Sequence, residues 1–299
     1  MVRKALVVGI NRYPFLTINQ GKCQLDYAAA DADAIARLLR EYGQFEVEIL
    51  PVKQDDGTFA IDQKGLVKAK VFKDKIFELF QADGKTTALL FFAGHGLVDR
   101  SYGEEKGYFG TSDIKPDDDK WGVEFDFLAK QMIESRVPEQ VVWLDCCHSG
   151  QLTEAMFQKF NTLTAKTSVN RSFIAACRDS EIAHGLDGHG VLTHLLLEVL
   201  KPERYGIGKD INNIDVEMGV ETEFNNHPNF PTYPQRPVYF HSGRPIKFWQ
   251  GRGIGETKYS VKNPTDQNHI NIDNRSGGVY FGNGSVKITG DIVGGNQSK

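Results

Sequence analysis

The sequence has few cysteines and no long hydrophobic run. Only four cysteines occur in 299 residues: Cys23, Cys146, Cys147 and Cys177. That number is too small for a fold built on disulfides. No apolar stretch approaches the roughly 20 residues that span a bilayer, and Asn11 interrupts the short apolar start, which argues against a secretory leader. We therefore expect a protein of the reducing cytoplasm, away from membranes, whose cysteines serve the core or the chemistry.

The sequence also has no large excess of charge of one sign. The formal net charge is −4, with 25% charged and 40% hydrophobic residues, which is average for a globular protein. Because no strong basic field is present, we expect no binding of nucleic acid or of anionic membranes.

Short apolar runs with high β propensity alternate with helical patterns. Strands are predicted over residues 4–10, 45–50, 86–93, 140–145 and 172–177, and helices over 25–42, 67–82, 124–135 and 191–200. This alternation predicts an α/β fold with a mostly parallel sheet that helices cover on both faces. Three polar or proline-containing segments are predicted as loops, namely 97–123, 151–171 and 202–237.

The composition changes after about residue 250, which predicts a main domain over 1–250 and a small β-rich tail over 251–299. Residues 263–299 are rich in Asn, Gly and β-branched residues that alternate in short runs. We interpret this segment as a short β-repeat rather than an extension of the α/β core. It is either a flexible tail or a set of strands that pair with other copies or with a protein partner.

Two of the predicted strands end in reactive residues beside glycine. The first leads into Gly94-His95-Gly96, and the second into Asp145-Cys146-Cys147-His148-Ser149-Gly150. Active groups of parallel sheets lie just beyond the carboxyl ends of strands. A lone histidine or cysteine is most often structural, but the two together predict a thiol nucleophile and its acid–base partner. A zinc site on Cys146, Cys147 and His148 is disfavoured because adjacent strand residues point to opposite faces.

Six segments resemble, in order, those of the caspase-like cysteine peptidases, and within them the metacaspases and bacterial orthocaspases. They are residues 7–13 (VVGINRY), 91–96 (FFAGHG), 145–150 (DCCHSG), 175–178 (AACR), 188–193 (GHGVLT) and 234–237 (PQRP). The roughly 50-residue spacing of His95 and Cys147 also suits this family. The resemblance implies a caspase-like sandwich over roughly residues 1–245 and a cysteine endopeptidase activity.

The resemblance also implies individual roles. His95 is then the general base and acid, Cys147 the nucleophile, and the amides of Gly96 and Cys147 the oxyanion hole. The second cysteine of the pair is chosen because the family has Asp two residues before its nucleophile. The thiol chemistry itself requires no cofactor.

Charge predicts the substrate preference. Asp145 shares a strand face with Cys147, and Leu25–Ala32 follows the family's second acidic element in register, which makes Asp31 a second pocket residue. Tyr27 and Ala30 depart from that element, and the alternative is that Asp31 is an ordinary exposed helix charge. Two carboxylates predict cleavage of proteins after Arg or Lys and not after Asp.

Two further expectations come from the family. Many metacaspases need calcium, for which Asp113 and Asp126 are candidate ligands, although an acidic loop is more often simply solvated. Residues 151–171 correspond to the family's processing segment, where Lys159, Lys166 and Arg171 are candidate self-cleavage positions.

The setting predicted by analogy is a regulated effector in bacterial defence or programmed cell death. Residues 288–295 (ITGDIVGG) resemble adaptor segments of bacterial conflict proteins. If the tail recruits partners, its deletion is predicted to abolish assembly and to spare cleavage of a free peptide. The competing interpretation is an inactive caspase-like scaffold that recruits partners through this tail.

Overall fold

The computed structural model describes residues 2–18, 21–55, 58–81, 83–100, 105–146, 169–176, 188–227 and 236–253, together with the backbone of 269–273 and 278–280. Within these residues the helices, in chain order, are α1 (Ala28–Glu41), α2 (Ala69–Phe80), α3 (Phe125–Glu134), α4 (Val191–Val199) and α5 (Asn213–Asn226). None of them is both long enough and apolar enough to cross a bilayer.

The described strands, in chain order, are β1 (Val2–Gly9), β2 (Arg12–Ile18), β3 (Gly21–Gln24), β4 (Glu46–Leu50), β5 (Val52–Asp55), β6 (Thr58–Ile61), β7 (Lys85–Gly94), β8 (Gly96–Asp99), β9 (Lys106–Phe109), β10 (Val123–Glu124), β11 (Glu139–Cys146), β12 (Asn170–Ala175), β13 (Asp210–Asn212), β14 (Val238–Ser242), β15 (Lys247–Gln250), β16 (His269–Asp273) and β17 (Gly278–Tyr280).

One mixed sheet organises the molecule. Its strand order is β17-β16-β14-β12-β11-β7-β1-β4. The neighbours from β12 to β4 run parallel, and β14 is antiparallel to β12. In the register of β7 and β11, Gly94 lies opposite Cys146 and Ala93 opposite Asp145. The strands that carry the two reactive motifs therefore end side by side at one edge of the sheet.

The central strands are buried on both faces, as the sequence predicted. In β7, Leu89, Phe91 and Ala93 join a core that includes residues of α1, α4 and α5. The alternate residues Leu90 and Phe92 join a second core with residues of α2 and α3. This arrangement confirms the predicted α/β class with a mostly parallel sheet between helical layers.

The expectation that residues 202–237 contain no long regular element is wrong. Helix α5 runs through this segment for 14 residues. The five prolines lie at 202 and from 228 onwards, so none interrupts the helix. The Asn212 side chain accepts the backbone N–H groups of Ile214 and Asp215, and the Asp215 carboxylate accepts the N–H of Asn212. This capping box starts the helix.

Residues 97–123 also contain more regular structure than the predicted loop. β8, β9 and β10 form a small antiparallel sheet beside the end of β7. Two of these strands have four residues and the third has two. Strands this short cannot show the alternation by which a strand is recognised in a sequence.

Part of the tail extends the main sheet, which differs from the expectation of a segment separate from the core. β16 pairs with β14 in parallel from Tyr239↔His269 to Ser242↔Ile272, and β17 pairs with β16 in antiparallel. The rest of the predicted tail, apart from residues 251–253, lies outside the described residues. The division into domains 1–250 and 251–299 stays a prediction.

Candidate active site

His95 follows directly on the last residue of β7 and is fixed at its backbone. Its N–H donates to Oη of Tyr13 at 2.8 Å, and its carbonyl oxygen accepts the N–H of Gly110 at 2.8 Å. The Tyr13 ring also packs edge-on against the imidazole, with 4.6 Å between ring centres. The sequence placed Tyr13 in a family segment but assigned it no role.

Glycine is needed at two positions around His95, residues 94 and 110, because the chain segments approach closely there. A Cβ on Gly94 would lie 2.7 Å from Oη of Tyr13, and a Cβ on Gly110 would lie 2.9 Å from the carbonyl oxygen of His95. Both distances are below ordinary contact, so a side chain at either position would displace Tyr13 or His95.

Cys23 is a neighbour of His95 that sequence reasoning missed. Its Sγ lies 2.6 Å from Nε2 of the imidazole. Cys23 belongs to β3, where it pairs with Tyr13 of β2. Cys23 and His95 are 72 positions apart in the chain. Because the β2–β3 hairpin was not predicted, no local sequence signal brings them together.

The second motif begins in β11 and continues beyond the described residues. Cys146 is the buried last residue of β11, which agrees with its interpretation as a core residue. The predicted nucleophile Cys147 lies outside the described residues, as do the self-cleavage candidates Lys159 and Lys166. Gly96 is the buried first residue of β8, and its role in an oxyanion hole, with that of the Cys147 amide, stays a prediction.

Asp31 is held inside the protein in the first turn of α1. It is 2% exposed, so the alternative of an exposed helix charge is wrong. Its Oδ1 lies 2.7 Å from Nδ1 of His189, and its Oδ2 accepts the N–H of Gly190 at 3.0 Å.

Asp145 is likewise buried, at 5% exposure, near the end of β11. Its Oδ2 accepts both the N–H of Thr193, at 3.0 Å, and the hydroxyl of Thr193, at 2.7 Å. Two hydrogen bonds to one oxygen fix the orientation of the carboxylate.

The two carboxylates converge on Gly190. A Cβ at this position would collide with Oδ2 of Asp145 and lie 3.1 Å from Oδ2 of Asp31. The structure thus brings together the two acids that the sequence placed in one pocket. His189, Gly190 and Thr193 were missed as their partners; the only signal was their presence in the 188–193 segment.

The two candidate calcium ligands lie in different settings. Oδ1 of Asp113 accepts the hydroxyl of Thr111 at 2.7 Å and the N–H of Ala69 at 2.9 Å, and so holds the start of α2. Asp126 lies in the first turn of α3. Among the described residues, no three His, Cys, Asp or Glu side chains are grouped so that they could hold a metal ion.

The position of Arg171 does not fit the prediction of a self-cleavage site. It lies in β12 opposite Gln140, is 3% exposed, and its Nε donates to Oε1 of Gln140 at 3.1 Å. Burial lowers the pKa of this guanidinium to about 10. Arg171 lies in a strand that is paired on both sides, with β11 and with β14. Such a residue cannot enter a protease site while the sheet is intact.

Comparison with known families decides the relationship. Residues 2–243 match the family model described as the caspase domain. The chain belongs to the caspase family. As a caspase-family member it carries a cysteine-protease type of domain, which agrees with a histidine and a Cys-Cys motif at neighbouring strand ends.

Solved structures that are similar to this chain are distant from it in sequence. This caspase domain is similar to the protein GSU0716 from Geobacter sulfurreducens, with a TM-score of 0.56 and 21% identity, over 85% of this chain and 98% of that one. The Drosophila initiator caspase Dronc aligns with a TM-score of 0.47 and 13% identity, over 83% and 82% of the two chains. A comparison with curated proteins finds no match.

Proposed function

We propose that the chain is a cysteine endopeptidase that cleaves proteins after Arg or Lys, with His95 as general base and acid and Cys147 as nucleophile. The observation that carries the proposal is the convergence of the buried Asp31 and Asp145 carboxylates on Gly190. Two fixed carboxylates attract a guanidinium or an ammonium group and repel an acidic side chain. Asp145 also lies two residues before Cys147, which links this pocket to the nucleophile.

The proposed reaction follows from thiol chemistry. The Cys147 thiolate attacks the scissile carbonyl carbon, and the amides of Gly96 and Cys147 stabilise the resulting oxyanion. The imidazolium of His95 protonates the leaving amine as the C–N bond breaks, which leaves a thioester on Cys147. His95 then takes a proton from water, whose oxygen attacks the thioester and releases the acid and the thiol.

A fluorogenic peptide panel tests the reaction. We expect turnover of peptides that end in Arg or Lys before the reporter, none of the Asp peptide, and a loss of about 10³-fold or more in Cys147→Ala and His95→Ala. Equal turnover of the Asp peptide would overturn the specificity. Undiminished cleavage by Cys147→Ala would overturn the mechanism, and inactivity of the wild type on every peptide would favour the scaffold alternative.

The pocket is tested by removing one negative charge at a time. We expect Asp31→Asn and Asp145→Asn each to lower kcat/KM for the Arg peptide by about 10²-fold, because a buried charge pair loses one partner. Asp33→Asn is the matched control, since Asp33 lies on the same helix and forms an ion pair with the exposed Arg37. The control is expected to stay within about twofold. Equal effects of all three variants would contradict the pocket.

Calcium dependence belongs to the same proposal and has a direct measurement. We expect a chelator to lower cleavage of the Arg peptide and added calcium to restore it, with Asp113→Asn and Asp126→Asn shifting the calcium titration. A rate that is identical in chelator and in calcium would end this part of the proposal.

Self-processing is proposed at Lys159 and Lys166 only. We expect incubation of the wild type to give two large fragments whose new termini, read by mass spectrometry, lie at these lysines, and Cys147→Ala to stay intact. Fragments cut elsewhere would contradict the assignment. We propose the closer kinship to metacaspases and orthocaspases from the six sequence segments, and the setting in bacterial defence or programmed death by analogy with that family.

A further inference from the structure

Cys23 and His95 form a second thiol–imidazole pair in this chain. Sγ of Cys23 lies 2.6 Å from Nε2 of His95. The hairpin of β2 and β3 holds the pair in place, because Cys23 is the register partner of Tyr13, whose hydroxyl accepts the N–H of His95. The hairpin is closed at its base by a hydrogen bond from the N–H of Leu25 to the carbonyl of Asn11, at 2.9 Å.

The surroundings of Cys23 differ from those of the other described thiol. Cys23 is partly exposed, whereas Cys146 is buried at 1% among core residues of the sheet. A thiol at hydrogen-bond distance from an imidazole can pass its proton to the ring, and the thiolate is the reactive form. Cys23 combines this neighbour with access from solvent, and Cys146 lacks the access.

We propose that Cys23 is a second reactive thiol, a covalent modification site for soft electrophiles and peroxides that uses His95 as its base. In alkylation by a haloacetamide, Sγ attacks the carbon that carries the halogen, the S–C bond forms, the carbon–halogen bond breaks, and halide leaves while the thiol proton stays on His95. The inference concerns Cys23 and His95 alone, so it does not depend on peptidase activity.

With hydrogen peroxide the same thiolate is oxidised. Sγ attacks one peroxide oxygen, the S–O bond forms and the O–O bond breaks. The hydroxide that leaves takes the proton from His95 and becomes water. Cys23 becomes a sulfenic acid, and the peroxide is reduced to water.

Iodoacetamide labelling of Cys147→Ala, followed by tryptic peptide mapping, tests the pair without the predicted nucleophile. Near pH 6.5 we expect Cys23 to be labelled about tenfold faster than Cys146 or more, because an unassisted thiol is almost wholly protonated there. In Cys147→Ala/His95→Ala the rate at Cys23 is expected to fall about tenfold. At about pH 9.5 the difference between the two variants narrows, because an unassisted thiol ionises by itself.

A conservative variant guards the result against unfolding, and a pH profile tests the thiol–imidazole pair itself. His95→Gln keeps a side chain of similar size and is expected to give the same loss as His95→Ala, with circular dichroism and melting confirming the fold of both. In Cys147→Ala alone, the labelling rate at Cys23 is expected to stay nearly constant between about pH 6 and 8.

The inference is overturned if Cys23 reacts no faster than Cys146, or if its rate is the same with and without the imidazole. Treatment with hydrogen peroxide and then dimedone is expected to give an adduct on the Cys23 peptide. The absence of that adduct would overturn the assignment to peroxides.

Discussion

At the scale of the residue, Tyr13 is the principal support of His95. Its hydroxyl accepts the His95 N–H, and its ring lies edge-on to the imidazole. Tyr13 is also one of the largest fully buried side chains among the described residues. The hydrogen bond fixes the His95 backbone after β7, and the ring contact fixes the orientation of the imidazole. We therefore assign Tyr13 a positioning role.

Tyr13→Phe separates these two contacts. The ring contact stays, whereas the His95 N–H loses its acceptor, which costs about 1–3 kcal/mol when the donor is buried. We expect kcat for the Arg peptide to fall about tenfold with KM nearly unchanged, because the change misplaces the base and not the pocket. Tyr27→Phe, at an exposed tyrosine, is the control. A rise in KM at constant kcat would contradict the positioning role.

Gly190→Ala tests the convergence of the carboxylates. Gly190 has φ −62° and ψ 153°, a conformation that alanine adopts readily, so any effect comes from the new Cβ and not from backbone strain. That Cβ would press on the carboxylates of Asp145 and Asp31. We expect kcat/KM for the Arg peptide to fall about tenfold or more, together with a lower melting temperature. Unchanged kinetics would place the substrate side chain elsewhere.

The sequence predicted one part of this site and missed another for a physical reason. Asp145 follows from strand periodicity and Asp31 from a motif in register, and both are properties of a continuous stretch of chain. The contacts of Cys23 with His95 and of His189 with Asp31 join segments 72 and 158 positions apart. Such contacts depend on how a hairpin and a loop pack onto the sheet.

At the scale of the element, α5 shows why a helix can escape sequence prediction. Its buried face includes Asn213, Glu217 and Glu221, at successive intervals of four residues. These polar residues interrupt the apolar periodicity that marks a helix. The Glu217 carboxylate is satisfied inside the protein by Asn213, by the hydroxyl of Ser172 and by His241. A polar stripe that meets polar partners can therefore be buried without an apolar signal.

The capping box that starts α5 gives a stability prediction. We expect Asn212→Ala to lower the free energy of unfolding by about 1 kcal/mol, because the first-turn N–H groups of Ile214 and Asp215 lose their acceptor. Urea denaturation measures the change. Asn226→Ala, at the exposed last residue of the same helix, is the control and is expected to stay within about 0.5 kcal/mol. Equal losses would show that the cap does not stabilise the helix.

At the scale of the whole molecule, the layering was predictable and the edges of the sheet were not. Alternating apolar runs and helical patterns indicated a sheet covered on both faces. The buried central strands β1, β7, β11 and β12 confirm it. The antiparallel β14 was not predicted, and the alternating residues of β16 were assigned to a separate tail rather than to this sheet. β14 pairs with the open edge of β12, and β16 pairs in turn with β14.

Removal of the tail after Gly253 distinguishes two roles for it. If residues 263–299 pair with other copies, the truncated chain loses assembly. If β16 covers the edge of β14, truncation opens that edge and self-association rises. The pairing of β16 with β14 favours the second result. Light scattering after gel filtration measures the mass, and cleavage of the Arg peptide is expected to persist. Fewer subunits per particle than in the full chain would favour the first role.

The adjacency of β11 and β12 has a consequence for a chain that is cut between Cys146 and Val169. The two strands are hydrogen-bonded neighbours over six register pairs, from Glu139↔Asn170 to Leu144↔Ala175. The N-terminal fragment would keep β1, β4, β7 and β11, and the C-terminal fragment would keep β12 and β14. Scission would change the covalent connectivity and leave the particle whole, so that a denaturing gel shows two bands while sedimentation in native buffer shows one species.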